Sequence, residues 1–312
     1  MLPFKLVYHD GYDLNLGAHV FPSQKYRLVR EQLLAEGIAG PEDFLVPLPA
    51  ADEDVLRVHT ADYVRKLKTG LLTHEEIRQM EVPYSKELVE AFWLAAGGSI
   101  LAGQRALEDG WAANIGGGFH HAYPGHGEGF CVLHDVAIAI RRLQADGAIE
   151  RTMVVDTDVH QGNGTAAIFK GDTTVFTLSI HQENNYPFHK PPSTMDINLA
   201  DGTGDDEYLI ELANGLTEAF RHFRPQLVFY IAGADPYRDD QLGGLALTME
   251  GLARRDALLF EAARRHGVPV ATTQAGGYAR RLGDTVRIHV GTIVAARDAA
   301  QKGSKRPEPV AR

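Results

Sequence analysis

Asp156-Thr157-Asp158-Val159-His160 sets two carboxylates and an imidazole at alternate positions, directly after the apolar run Met153-Val154-Val155. In extended backbone, side chains two residues apart share a face, so these three can point together. A carboxylate and a histidine joined by a distant carboxylate make an N/O donor set with open positions, which suits a catalytic zinc ion. The natural distant partner is Asp235, where the apolar run Leu227–Ile231 passes through Ala232-Gly233-Ala234 and ends in a charge. Two aspartates and one neutral histidine balance a dication and leave room for water and a substrate oxygen. The blander alternative is that Asp158 and His160 cap a helix beginning near Gly164 and that Asp235 is a turn residue.

Gly116-Gly117-Gly118-Phe119-His120-His121 adds adjacent imidazoles behind three glycines, a composition that lets backbone pack close to something else. Histidine has the near-neutral pKa that a general base needs. Each ring then requires an acceptor to orient it, and Asp156 and Asn163 are the candidates. One is charged and the other neutral, so the ring on the aspartate is held more readily as a cation. Ala275-Gly276-Gly277-Tyr278 completes the set, because a tyrosine hydroxyl on a close-approaching loop can donate to a developing oxyanion. Taken singly, the histidines read as a surface pair and Gly-Gly-Tyr as a turn with a packed aromatic.

Short apolar runs and amphipathic stretches alternate along the chain and supply the frame. Met153–Val155, Val175–Leu178, Leu227–Ile231 and Val268–Ala271 have the length and branching of buried strands. Leu209, Leu212, Ala213, Leu216, Phe220 and Phe223 recur at helical spacing, and a further helix runs from Met249 to His266 and ends at Gly267. Earlier helices fall around Gln24–Glu36, Asp62–Lys68 and Ser85–Glu108. This alternation predicts a parallel sheet covered on both faces. The unusual polar and glycine-rich segments, at 116–121, 156–164, 179–188, 233–237 and 275–278, follow the strands. In such sheets ligands bind outside the carboxyl ends, so five loops can converge on one pocket.

Composition narrows the classes. A formal net charge of −10 argues against binding nucleic acid through a basic surface. The single cysteine, Cys131, excludes an intrachain disulfide and reads as a small buried hydrophobe. The segment Met1–Asp10 lacks the apolar core of a signal peptide and no long uncharged apolar run occurs, so the expectation is a cytoplasmic protein without a membrane span. Residues 1–300 read as one catalytic domain and 301–312, polar and proline-bearing, as a flexible tail. Trp93 and Trp111 are expected to pack the core, and His9, His19, His59, His126, His134, His181, His189, His222, His266 and His289 to be surface or satisfied core histidines. Arg254-Arg255 and Arg264-Arg265 are expected to lie on a solvated helix face.

Gly117-Gly-Phe-His-His-Ala122, Gly129-Phe130-Cys131, Asp156-x-Asp-x-His-Gln-Gly-Asn-Gly164, Gly233-Ala234-Asp235 and Gly276-Gly277-Tyr278 together resemble the histone deacetylase superfamily, in that family's order. Asp158-Val-His-Gln-Gly-Asn-Gly164, Asp205–Leu209 and Leu242–Leu245 lean toward its class IV branch. The resemblance implies an arginase-like α/β/α fold, a single three-layer domain with a mostly parallel sheet of about eight strands. It implies a zinc-dependent deacylase acting on acyl-lysine or another acylated amine, such as an acetylpolyamine. Asp158, His160 and Asp235 would be the zinc ligands. His120 would be the inner histidine on Asp156, and His121 the outer one near Asn163, acting as base and then acid. Tyr278 would polarise the carbonyl, and Gly129, Phe130 and Tyr186 would line the substrate tunnel. The resemblance further implies a structural potassium ion at Asp156, Asp158, His160, Ser179 and Ile180, and a second monovalent site near Phe169, Asp172 and Val175. Two departures stand out. Asn163 occupies a position where class I members carry aspartate, and 181–199 does not follow the class I loop, which leaves the acyl-chain preference open.

Competing readings have weaker residue support. A two-manganese hydrolase of the arginase type needs further aspartates, but Gly162 lies four residues after Asp158 and Tyr237 two after Asp235. A non-catalytic acyl-amine binder would tolerate loss of a ligand, a histidine or the tyrosine, and none is lost. The glycines of 116–129 do not form G-x-G-x-x-G, which argues against a dinucleotide site.

Overall fold

A computed structural model describes residues 1–14 and 16–304. The strands are β1 (Lys5–Val7), β2 (Phe44–Leu45), β3 (Trp111–Asn114), β4 (Thr152–Asp156), β5 (Val175–Gln182), β6 (Met195–Leu199), β7 (Leu227–Ile231) and β8 (Val270–Thr273). The helices are α1 (Lys25–Ala35), α2 (Asp52–Val55), α3 (Ala61–Thr69), α4 (His74–Met80), α5 (Lys86–Asp109), α6 (Asp135–Ala145), α7 (Asn163–Ile168), α8 (Asp205–His222), α9 (Met249–His266) and α10 (Leu282–Ser304). Among the described residues, no helix is long and apolar enough to cross a membrane.

The strands form one sheet in the order β2-β1-β3-β8-β7-β4-β5-β6, and every pairing is parallel. Helices cover both faces, α5 and α6 packing together on one side and α1, α10, α9 and α8 following one another on the other. Every residue of β4, β5, β7 and β8 is buried, which is why these strands read as continuous apolar runs with no alternation. Strand β8 starts two residues later than the apolar run suggests. Pro269 has no N–H for the ladder, and its carbonyl accepts from Val228 as the chain enters the sheet. Strands β1, β2, β3 and β6 lack a readable pattern. β1 and β2 are very short, β3 is alanine-rich, and β6 lies half-exposed at an edge.

Helix ends follow local chemistry. Thr73 and Glu76 form a capping box on α4, Ser85 caps α5 and Thr248 caps α9, which Gly267 closes in the left-handed region. Helix α8 opens on Asp205, Asp206 and Glu207 and ends on Arg221 and His222, matching its dipole. Two expectations are corrected here. Helix α10 continues through Gln301–Ser304, which composition had assigned to the tail; 305–312 lie outside the described residues. Arg255 is not on a solvated face. It is fully buried, because its guanidinium pairs with Asp256 and donates to the Gly233 carbonyl at 2.6 Å, binding α9 to the loop after β7. Arg264 and Arg265 do face solvent, where both pair with Glu261.

A polar core braces the loop after β3. Asp135 accepts from the backbone of Gly118 and Phe119 at 3.0 and 2.8 Å and from Ser99. Buried His59 links Tyr123 to His134: its Nδ1–H donates to the Tyr123 carbonyl at 3.0 Å, and its Nε2 accepts the His134 N–H at 3.0 Å. A protonated ring cannot accept that bond, and burial pushes the pKa of His59 down to about 4. A histidine depressed on folding contributes stability that is complete above its unfolded pKa near 6.5 and lost as pH falls toward the folded value. Between pH 7.5 and 5 the loss is about 2 kcal/mol. Guanidinium unfolding of the wild type and of His59→Leu at both pH values should show this difference in pH dependence, whatever the absolute stabilities. Equal pH dependence in the two proteins would contradict it.

Candidate active site

The segments that carry the polar residues follow β3, β8, β7, β4 and β5, which are five consecutive neighbours in the sheet. Asp156 is the last residue of β4 and lies beside Ser179 of β5. Beyond it the chain is not extended. Asp156 Oδ1 accepts the Asp158 N–H at 3.1 Å, and Asp158 Oδ1 accepts the His160 N–H at 3.0 Å. Each carboxylate folds back on the residue two further on, so successive Asx turns gather the three side chains where a strand would have splayed them. Asp235, four residues past β7, reaches across to accept the Val159 N–H on Oδ1 at 2.9 Å.

Asp158, His160 and Asp235 thereby converge. Each offers one ligand atom within 4.8 Å of the others, all three are buried, and among the described residues no other such group of three exists. Nδ1 of His160 lies 3.0 Å from Asp158 Oδ1 and 3.7 Å from Asp235 Oδ2. Asp235 Oδ2 is buried without a hydrogen-bond partner among the described residues, and burial together with the Asp158 and Asp240 charges pushes its carboxyl well above the usual range. Burial acts in the same sense on Asp158, but His120 and His160 outweigh it and hold that carboxyl far below the usual range. An orphaned oxygen among buried carboxylates is the setting a dication fits. The Gly276 backbone closes the site from the β8 side, its N–H donating to Asp158 Oδ2 at 3.0 Å. A Cβ there would stand 2.0 Å from Asp235 Oδ2 and 2.5 Å from Asp158 Oδ2, so this position admits only glycine.

His120 and His121 lie beside this cluster with ring centres 4.0 Å apart. His120 Nδ1 is 2.6 Å from Asp156 Oδ2, and His121 Nδ1 is 2.6 Å from Asn163 Oδ1. The rings therefore differ in charge. Burial lowers the His120 pKa, but the Asp156 and Asp158 carboxylates outweigh it and raise it to about 9. Burial and the neighbouring His120 and His160 push His121 well below the ordinary value, and the Asn163 bond offsets little of this. One imidazole is thus held as a cation and the other as a neutral base.

Tyr278 closes the far side of a narrow cleft of about 170 Å³, with Gly129, Phe130, Tyr186, Leu242 and Glu81 on its other walls. Burial and the charges of Asp235 and Asp158 raise the Tyr278 pKa well above the ordinary value, so it stays a phenol that can donate. Its loop is held by residues that carried no signal in the chain. Asp240 accepts the Tyr278 N–H at 2.7 Å, and Lys25 Nζ donates to the Ala275 carbonyl at 2.6 Å. Lys25 is fully buried against Phe21, Tyr26 and Tyr278, and burial lowers its pKa to about 8 despite Asp235, Asp158 and Asp240. A lysine at the start of an amphipathic helix reads as a surface residue, so only the packing reveals it. Glu128 also reaches the site, accepting from Asn163 Nδ2 at 2.7 Å and from the Tyr186 hydroxyl at 3.1 Å; a lone carboxylate between Gly127 and Gly129, just ahead of Phe130, is the cue the chain offers.

The residues associated with potassium are less open. Ser179 Oγ lies 2.9 Å from His181 Nδ1, and Ile180 continues β5 beside Ile197. At the second monovalent position Arg141 already pairs with Asp172 at 2.7 Å, and Thr174 donates to that carboxylate twice.

The sequence profile of the histone deacetylase domain matches residues 19–293. An uncharacterized protein of Picosynechococcus sp. is 44% identical over 296 residues, which cover 95% of this chain and 99% of that one. Histone deacetylase 2 of Arabidopsis thaliana is 33% identical over 298 residues, covering 90% of this chain and 77% of that protein. A histone deacetylase homologue from Aquifex aeolicus has the same fold, with a TM-score of 0.79 at 24% identity over 97% of this chain and 85% of that chain.

The unpartnered carboxylate sets up an opposition between stability and metal binding. Asp235→Asn keeps an acceptor for Val159 and cannot take on the charge its buried neighbours repel, so the metal-free variant should melt no lower than the metal-free wild type, and its advantage should grow as pH rises and the wild-type carboxyl ionises, at roughly 2–4 °C per kcal/mol. Added zinc should raise the melting temperature of the wild type and leave that of the variant unchanged. A variant that melts lower and still responds to zinc would remove Asp235 from the ligand set.

Proposed function

The chain belongs to the histone deacetylase family, a group of amide-hydrolysing enzymes, and we propose that it is a zinc-dependent deacylase acting on acyl-lysine or a related acylated amine. The observation that carries this reading is the buried cluster of Asp158, His160 and Asp235, with a carboxylate oxygen that no group among the described residues satisfies. These three residues would hold the ion, which when bound supplies Lewis acidity to the acyl carbonyl and activates a water molecule.

The chain's own groups then divide the remaining work. The cleft lined by Phe130, Tyr186 and Tyr278 would take the acylated arm of the substrate. His121, neutral and with Nδ1 engaged by Asn163, takes the proton from the attacking water on Nε2. Tyr278 donates its hydroxyl hydrogen to the carbonyl oxygen as negative charge develops there. His120, kept cationic by Asp156, adds positive charge beside that oxygen, and a protonated histidine releases the amine. A potassium ion beside the site would draw on Asp156, Asp158, His160, Ser179 and Ile180.

Glu81, at the wall of the cleft, favours acylated amines that carry a second cationic group, so acetylpolyamines are the alternative substrate class. Comparison of zinc-loaded enzyme on acetyl-, trifluoroacetyl- and myristoyl-lysine peptides and on acetylated polyamines separates these. The proposal expects one zinc per chain and turnover of at least one of these substrates. Full zinc loading without turnover on any would indicate a binding protein, and two transition metals per chain would indicate a two-metal hydrolase.

Tyr278→Phe should lower kcat by roughly 10²–10³, the usual effect of losing one oxyanion donor, with zinc content unchanged. Full activity in that variant would remove Tyr278 from the mechanism.

A further inference from the structure

Asn163 has two ends that differ chemically: its side-chain oxygen only accepts hydrogen bonds and its NH2 only donates. Its Nδ2 lies 2.7 Å from Glu128 Oε1, and its Oδ1 lies 2.6 Å from His121 Nδ1. An ionised carboxylate only accepts, so the NH2 must face Glu128 and the carbonyl oxygen must face His121. A carbonyl oxygen accepts in turn, so His121 Nδ1 must carry the hydrogen and Nε2 the lone pair. With the amide reversed, Asn163 would donate to Nδ1 and drive the proton onto Nε2, which disables the ring as a base.

Glu128 is itself held firmly. Oε1 also accepts from the Tyr186 hydroxyl at 3.1 Å, and Oε2 lies 3.2 Å from His126 Nε2 and 3.4 Å from Gln79 Nε2. Burial raises its carboxyl, but hydrogen bonds from His126, Asn163 and Tyr186 outweigh this and keep it below the usual range. The Tyr186 ring stands edge-on to His121 at 5.0 Å, so one carboxylate ties the cleft wall to the histidine. Gly129 permits this closeness, since a Cβ there would lie 2.7 Å from the His121 ring.

We infer that Glu128 is a positioning residue that acts through Asn163 to fix the tautomer of His121. The inference rests on the reading of His121 as the base and adds a reason for the asparagine. A carboxylate placed directly on His121 would favour a second cation 4.0 Å from His120. A carboxylate one amide further away orients the ring without charging it.

The test uses the zinc-loaded full-length protein and reads the imidazole nitrogens by ¹⁵N-edited NMR, with a His121→Ala sample to identify the His121 signals. Wild type should show the Nδ1–H tautomer, and Glu128→Ala should shift it toward Nε2–H, with kcat down roughly 10–100-fold and KM little changed. A conservative variant tests the relay. Glu128→Gln keeps a side-chain oxygen that accepts from the Asn163 NH2 and the Tyr186 hydroxyl, so it should keep the Nδ1–H tautomer and most of the activity. An unchanged His121 tautomer in Glu128→Ala, or a Glu128→Gln variant no better than Glu128→Ala, would overturn the inference. If the zinc-loaded wild type turns over no substrate, the functional reading fails while the tautomer comparison still decides the role of Glu128.

Discussion

Buried carboxylates repel one another, and this protein gathers Asp156, Asp158, Asp235 and Asp240 at the carboxyl end of a single sheet. Charges removed from water persist only where opposite charge or several hydrogen bonds compensate them. The surrounding structure distributes that compensation unevenly. His120 serves Asp156, His160 serves Asp158, and three backbone N–H groups serve Asp240. Among the described residues Asp235 receives only the Val159 N–H, and its second oxygen is left with nothing. Lys25 and Arg255 are buried nearby but spend hydrogen bonds on the Ala275 and Gly233 carbonyls, so they hold loops in place and leave the carboxylates to another cation. The deficit is local, and it falls among the three side chains that could hold a metal ion.

The same field separates the two histidines. Adjacent imidazoles cannot both be cations at such a distance, and the choice of acceptor behind each ring decides which one is. Asp156 makes His120 the cation. Asn163 orients His121 and leaves it neutral, with Glu128 behind the amide to keep it the right way round. A charged and a neutral imidazole thus coexist in one site through the difference between a carboxylate and an amide.

Placing these groups takes a rigid frame, which comes from the five consecutive parallel strands and from polar residues in the core. His59, His134 and Asp135 hold the loop after β3 by backbone hydrogen bonds, and Asp240 does the same for the loop that carries Tyr278. Such contacts replace water that the buried loops have lost. They also make the frame sensitive to acid, since His59 must stay neutral to accept its bond.

Much of this was legible in the chain. The runs at β4, β5 and β7, the spacing of α8 and α9 and the glycine ending α9 are local consequences of burial and helix geometry, and each occurs where the pattern placed it. So were the clusters that hold Asp158, His160, His120, His121 and Tyr278, because chemistry-bearing residues concentrated in strand-end loops stand out without any three-dimensional knowledge. Other features depended on contacts between distant segments. The Asx turns that gather Asp156, Asp158 and His160, the burial of Lys25 and Arg255, and the link from Glu128 through Asn163 to His121 join residues whose own neighbours in sequence carry no mark of the pairing. A charged residue on a helix reads as solvated until another element covers it, and an amide has no preferred direction until a carboxylate faces it. Sequence determines which chemical groups are available and which local elements form; only the packing of those elements decides which charges lose their water, and hence which must find a partner.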